Sequence, residues 1–344
     1  PLVRIALLTE IPAPFRISLW NALAARPDVD LRLLFLSADD PRRGYPLYAD
    51  EFAFDHVVLP GRDVQRGGRW FVLNRGVLGA LHRFRPDAVA VGGWNQPAFW
   101  QALAYARARR IPFLVWVEST LRDVRSEAGP LDRARRTMIR LASGCFVPGR
   151  ASAEYVRSLG MAESRIAIAP NVADTEVFGA RVAALTPRRD EIRASLGLDG
   201  PTVLCVSRLS PEKGVDVLVR AFDEVPDATL VCVGDGPQEA EVRALAGERV
   251  RMVGRVERDD LPPLFAAADV FCLPSRSETW GMVLSEAALA GLPLVSTTAP
   301  GAAYDLIEEG VNGFVVPTED PGALAGALRK ALADEAWRRV AGER

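Results

Sequence analysis

The chain has 344 residues, too many for one ordinary core and enough for two domains of about 100–200 residues each. Its 49% hydrophobic and 25% charged residues suit a water-facing globular protein, and no apolar run approaches the roughly 18–20 residues that span a bilayer. The net charge of −2 is unevenly spread: residues 1–175 carry 24 Arg against 17 Asp and Glu, residues 176–344 carry 18 Lys and Arg against 27 Asp and Glu. No nucleic-acid recognition motif accompanies the basic half, so it is read as facing an anionic substrate or membrane surface. No stretch reads as a signal peptide, since Arg4 leads into a short strand-like run.

In the first half, "VRIALLT" (3–9), "VDLRLLFLS" (29–37), "DAVAVGG" (87–93), "PFLVWVE" (112–118), "GCFVPG" (144–149) and "RIAIAP" (165–170) predict strands. Helical patterns fall between several of them, at 15–26, 96–110 and 151–160, and the basic stretch 133–140 is helix-compatible. The second half repeats the rhythm, with strands at 201–207, 228–234, 250–254, 269–274, 292–297 and 313–317. Helices are expected near 214–224, 237–246, 260–267, 281–290 and 321–333. Short, nearly continuous apolar strands separated by helices predict parallel sheets covered on both faces. The fold class is therefore α/β, with two Rossmann-like doubly wound domains: 1–175, a linker at 176–199, and 200–344. Ligands in such sheets bind beyond the carboxyl ends of strands, so a cleft between the domains is the expected site.

Cys145, Cys205, Cys232 and Cys272 each sit in a strand-like run with no metal-ligand spacing, which predicts buried free thiols in a reducing compartment. The acidic pair in "DVD" at 28–30 sits before a strand, not after one, and is read as a turn, so no metal site is expected.

The motifs fall after strands. "VSRLSPEKG" (206–214) places Arg208 and Lys213 in a strand-to-helix loop, where two cations beside free helix amides suit a diphosphate. Lys213 and Lys330 are the only lysines in the chain. "VGDGP" (233–237) is a glycine turn, readable as phosphate-binding or as purely structural. "VGRV" (253–256) offers Gly254, Arg255 and Val256 near a nucleobase. "ETWGMVLSE" (278–286) brackets Gly281 with two carboxylates. Gly281 lets a phosphate approach the amides of Met282 and Val283, while Glu278 and Glu286 suit vicinal diols at either end of a nucleotide-sugar. The competing reading of those acids is ordinary helix charge.

As a set, "VSRLSPEKGVDVLVRAF", "VGDGP", "VGRV", "ETWGMVLSE", "EAALAGLPLVST" and "EEGVNGFVVP" resemble the donor-binding domain of family-4-type, GT-B fold, retaining glycosyltransferases over roughly 201–330. The first half is similar, more loosely, to the matching acceptor domain through "FRISLWNALA", "WVEST" and "PNVADTEVF". The resemblance implies that Arg208 and Lys213 hold the diphosphate, Glu286 the ribose, and Glu278 the donor sugar. It also places the backbone amides of Gly281, Met282 and Val283 against phosphate or sugar and Arg255 beside the base, with Thr279 and Trp280 as further donor-binding candidates.

The first half departs from the family pattern. Where many relatives have a glycine pair, the loop is "TEIPAPFR", and Arg16 stands as a candidate donor or acceptor contact. Where several relatives have a histidine, this chain has Glu118, with a helix-capping carboxylate as the alternative; the histidines, His56 and His82, lie elsewhere. Gly92, Gly93, Trp94 and Asn95 are expected to line the acceptor side.

The implied reaction is transfer of a sugar, with retention, from a nucleoside-diphosphate-sugar to the hydroxyl of a glycan or lipid-linked acceptor, without a metal or other cofactor. Cytoplasmic placement, with peripheral contact of the basic half on an anionic membrane, is the matching expectation. A nucleotide-sugar epimerase of the same fold and a non-catalytic nucleotide-sugar binding protein remain alternatives, and a dehydrogenase would want a complete Gly-x-Gly-x-x-Gly turn. The base, sugar, acceptor, catalytic base and oligomeric state stay open. So does the C-terminus, because members of that family usually continue into a helix that returns to the first domain; the start at Pro1 without Met is read as processing or truncation.

Overall fold

The computed structural model describes residues 2–39, 47–66, 69–122, 129–171 and 175–344. The chain forms two compact units, the first built from residues up to Ser119 with the segments that end at Pro148 and Ala169, the second mainly from Pro170–Arg344.

The first unit holds β1 (Val3–Thr9), β2 (Val29–Phe35), β3 (Asp55–Val58), β4 (Gly61–Arg66), β5 (Arg69–Asn74), β6 (Ala88–Val91), β7 (Phe113–Trp116), β8 (Gly144–Val147) and β9 (Ile166–Ile168). Seven of these make a parallel sheet in the order β3-β2-β1-β6-β7-β8-β9, while β4 and β5 pair as an antiparallel hairpin. Side chains alternate along the strands, so each strand feeds two cores. Ala6 and Leu8 of β1 pack with Phe99 and Ala102 on one face; Leu7 packs with Ile17 and Trp20 on the other. The expected strands lie within one or two residues of those observed. The edge strand β3 and the β4–β5 hairpin were not foreseen, because "DHVV" is exposed and "GRDVQR" is polar.

The second unit holds β10 (Thr202–Val206), β11 (Thr229–Val233), β12 (Val250–Gly254), β13 (Val270–Leu273), β14 (Leu294–Thr297) and β15 (Gly313–Val316), all parallel in the order β12-β11-β10-β13-β14-β15. Val203, Cys205, Leu230, Cys232, Val270 and Cys272 face one core, and Leu204, Val231, Phe271 and Leu273 face the other. Burial on both faces is why these strands read as unbroken apolar runs. All four cysteines are buried free thiols, and burial pushes those of Cys145 and Cys205 up to about 12.

The stretch 176–199, expected as a linker, contains helices Ala180–Leu185 and Arg189–Ser195 packed on the second unit. Phe178, Val182 and Leu198 are buried in its core, where Phe178 meets Phe265 edge-on at 5.2 Å. Arg189 and Arg193 donate to the carbonyls of Ala266, Ala267 and Ala268 and pair with Asp269. "PNVADTEVF" lies partly outside the described residues.

Candidate functional site

In the second sheet, β10 leads by helix Val215–Phe222 to β11 on one side, and β13 leads by helix Met282–Leu289 to β14 on the other. The connections therefore diverge between β10 and β13. Such a divergence leaves a crevice at the carboxyl ends of the two strands, the usual ligand position in an open α/β sheet. The loops there are 207–214, with Arg208 and Lys213, and 274–281, with Glu278, Thr279, Trp280 and Gly281.

The two loops are joined. Lys213 Nζ donates to the Glu278 carboxylate, both side chains being about one-fifth exposed. The amides of Arg276 and Ser277 donate to the Glu212 carbonyl at 2.9 and 3.1 Å. Arg276 grips Asp216 through two bonds of 2.6 and 2.7 Å, reaches the Pro211 carbonyl at 2.8 Å, and pairs with Glu319. The Arg276 guanidinium holds the Asp216 carboxyl below the usual range. Arg276 and Asp216 were missed from the sequence; the arginine inside "PSRSET" was the available signal.

Close backbone approach fixes the rest of the floor. Gly214 sits at φ +64°, and a Cβ there would lie 2.3 Å from the Pro274 carbonyl oxygen. Gly234 and Gly236 of "VGDGP" abut the Arg208 loop, where a Cβ would come within 1.9 Å of the Ser207 oxygen and 2.3 Å of the Leu209 oxygen. These glycines thus brace the loop from behind. Arg208 itself is exposed and makes no ion pair among the described residues.

Gly281 (φ +93°) opens helix Met282–Leu289, whose first amides, Met282 and Val283, have no preceding turn to bond. Glu286 lies one turn further, partly accessible, and burial pushes its carboxyl up to about 7. Arg255 is half exposed and pairs with Glu257 at 3.1 Å; Gly254 accepts from the Gly234 amide at 2.7 Å; Val256 packs against the core. Trp280 stands apart from its expected place among binding residues. Its indole is 3% exposed, and Nε1 donates to the Asn171 carbonyl at 2.7 Å. Thr279 is half-buried.

In the first unit, Arg16 pairs with Glu118, and its guanidinium lies over the Trp116 ring at 4.7 Å. The Glu118 backbone carbonyl accepts from Ser152 Oγ at 2.9 Å. Gly92, Gly93, Trp94 and Asn95 follow β6, and Asn95 Nδ2 donates to Glu10 at 2.7 Å. Glu10, at the end of β1, was not singled out from the sequence. In helix Pro130–Leu141, Arg135 and Arg136 are committed to Asp132, while Leu131, Arg133, Arg140 and Leu141 are exposed. Among the described residues, no helix is long and apolar enough to cross a membrane.

The family described as glycosyl transferases group 1 matches residues 200–334, and a glycosyl transferase 4-like domain matches residues 17–172. The chain belongs to the group 1 glycosyl transferases. Its fold is GT-B: HepE from Anabaena, solved in complex with UDP, superposes with a TM-score of 0.74 over 99% of this chain and 93% of that one, at 21% identity. The sulfoquinovosyl transferase SQD2 of Arabidopsis thaliana is 28% identical over 78% of this chain and 54% of its own length. A GDP-mannose-dependent alpha-(1-6)-phosphatidylinositol monomannoside mannosyltransferase of Mycobacterium tuberculosis is 34% identical over 58% of this chain and 56% of its own. The matched stretches thus span about half the length of these relatives. The paired loops and the helix entered through Gly281 both fall within the group 1 match.

Proposed function

We propose that this transferase moves a sugar from a nucleoside diphosphate to an acceptor hydroxyl with retention of anomeric configuration. The observation that carries the reading is the meeting, at one switch point, of the Lys213 loop, the uncommitted amides after Gly281 and the Glu286 carboxylate. In this reading Arg208, Lys213 and the helix amides of Met282 and Val283 hold the diphosphate and stabilise the charge that grows as it leaves. In this reading that stabilisation calls on no metal or other cofactor. Glu286 accepts from the ribose diol and Glu278 from the donor sugar, while Lys213 keeps Glu278 in place. Arg255 and the backbone at Gly254–Val256 border the base. Glu118, steadied by Arg16, contacts the donor sugar or an acceptor hydroxyl.

The acceptor oxygen bonds to the anomeric carbon as the carbon–oxygen bond to the diphosphate breaks. The acceptor proton passes to a leaving phosphate oxygen, and attack on the face the diphosphate leaves accounts for retention. UDP in HepE and GDP-mannose in the name of the mycobacterial relative support a nucleotide-sugar donor, and the latter's lipid substrate supports a glycolipid acceptor. Exposed Leu131, Arg133, Arg140 and Leu141 support a cytoplasmic enzyme resting on an anionic membrane.

The test supplies UDP-, GDP- and ADP-sugars to the purified protein and follows thermal shift, nucleoside diphosphate release with and without acceptors, and product configuration by NMR. Transfer is expected for one donor, with the α or β configuration conserved. Donor conversion without diphosphate release identifies an epimerase, and no shift with any donor overturns the reading.

A further inference from the structure

We propose that Glu10 binds a hydroxyl group of a neutral polyol acceptor at the switch point of the first sheet. This deepens the transferase reading and rests on it.

The first sheet has its own divergence. β1 leads through helix Ile17–Ala24 to β2, and β6 leads through helix Pro97–Arg109 to β7 on the opposite side. The two helices pack on opposite faces, so the carboxyl ends of β1 and β6 open a second crevice of the kind that receives ligands. Glu10 follows β1, and residues 92–96 follow β6.

The Glu10 carboxylate is held from two directions. Asn95 Nδ2 donates to it at 2.7 Å and Gln96 Nε2 at 2.6 Å, and both bonds end on Oε1. Gln96 is fully buried. Its amide can point only one way, because Val72 N donates to its Oε1 at 2.9 Å, which turns Nε2 towards Glu10 and the Trp70 carbonyl at 3.2 Å. Every proton of that buried amide is therefore used. The backbone is fixed as well, since the Glu10 carbonyl accepts from Leu36 N at 3.1 Å and Ser37 N at 2.9 Å.

Glu10 Oε2 accepts from no group among the described residues, and the side chain stays partly accessible. A structural tie between β1 and the hairpin is complete with Oε1 alone. Oε2 is thus an immobilised, charged acceptor with free lone pairs in a ligand-receiving crevice. Such a group bonds a hydroxyl well, and its ordering cost is already met by the fold. It repels phosphate and carboxylate. Among the described residues no group of three or more His, Cys, Asp or Glu is placed to hold a metal ion, so Glu10 lacks the company a metal ion needs. A neutral polyol, as on a sugar ring, is the ligand that fits.

The test is Glu10→Gln. The amide oxygen can replace Oε1 and keep both bonds, while an NH₂ replaces Oε2 and cannot accept. The probes are glucose, mannose, galactose, N-acetylglucosamine and myo-inositol, titrated by saturation-transfer NMR in the presence of UDP, GDP or ADP. At least one probe is expected to bind the parent, and Glu10→Gln to bind it at least about tenfold more weakly with an unchanged melt. Asn95→Ala, at an exposed side chain that steadies the carboxylate, is expected to weaken it a few-fold; it decides the matter if Glu10→Gln does not fold. Equal binding by these variants, or no binding of any probe to the parent, overturns the proposal. Calorimetry with UDP, GDP and ADP separates it from the reading beneath: a parent that binds none of the three sinks the transferase assignment, whereas nucleotide binding with an unaffected Glu10→Gln sinks only the role of Glu10.

Discussion

Past β13 the chain enters its helix through Gly281 and leaves the amides of Met282 and Val283 uncommitted; past β6 it enters through Pro97, which has no amide to offer. The strands before them carry different loops as well. β10 is followed by Arg208 and Lys213, β1 by Glu10 and two prolines. The same topology thus presents donors and positive charge in one unit, and an anchored carboxylate in the other. Sheet order fixes where a ligand can sit, and a few loop residues fix its charge.

The sharpest way to break this contrast is Lys213→Ala. Removing one preorganised positive group at a developing negative charge is expected to lower transfer about 10²–10³-fold while circular dichroism is unchanged. A variant transferring at the parent rate would remove the diphosphate role of the loop. Next comes Gly214→Ala, which places a side chain at φ +64° and 2.3 Å from the Pro274 carbonyl oxygen. Urea unfolding should report a loss of about 2–4 kcal/mol, from left-handed strain plus separation of the two loops.

Glu286 gives a smaller, pH-dependent effect. Burial lifts its folded value to about 7, above the unfolded carboxyl range. Between those values the native chain holds a proton that the unfolded chain has lost, so its contribution to stability is full below the unfolded value and falls as pH rises through 7. The ionised form is the better diol acceptor. UDP or GDP affinity by calorimetry should therefore rise about threefold between pH 6 and 8, and Glu286→Gln should flatten both trends. An unchanged pH profile in the variant would assign the trends elsewhere. The smallest effect is expected from Trp280→Phe, which removes the indole donor from the buried Asn171 carbonyl and leaves it the longer bond from Ser285 Oγ at 3.4 Å. A cost of about 1–2 kcal/mol in urea, with nucleotide affinity within about twofold of the parent, would place Trp280 in the core.

These contrasts were unequally legible in the sequence. Strands buried on both faces announced themselves as runs such as "VLCVS", and the motifs after them marked the second switch point because glycine, lysine and paired acids are unusual there. Helix Val77–Phe84 gave too short a pattern, and helix Glu335–Glu343 follows its predecessor after Asp334 with no glycine or proline to mark a break. Trp280 was misleading because an aromatic in a glycine loop looks alike whether it stacks on a ligand or fills a core. Glu10 was invisible for another reason. Its meaning depends on Gln96, 86 positions away, and on hairpin backbone that turns that amide, and neither is written in local spacing.

Gly234 and Gly236 carry a consequence for anyone wishing to retune the protein. A Cβ at either position would stand 1.9 Å from the Ser207 oxygen or 2.3 Å from the Leu209 oxygen, so any side chain there would push the Arg208 segment outward. Libraries aimed at a new donor should therefore leave that wedge alone and vary the solvent-facing tip, where Arg255 and Glu257 already tolerate exposure.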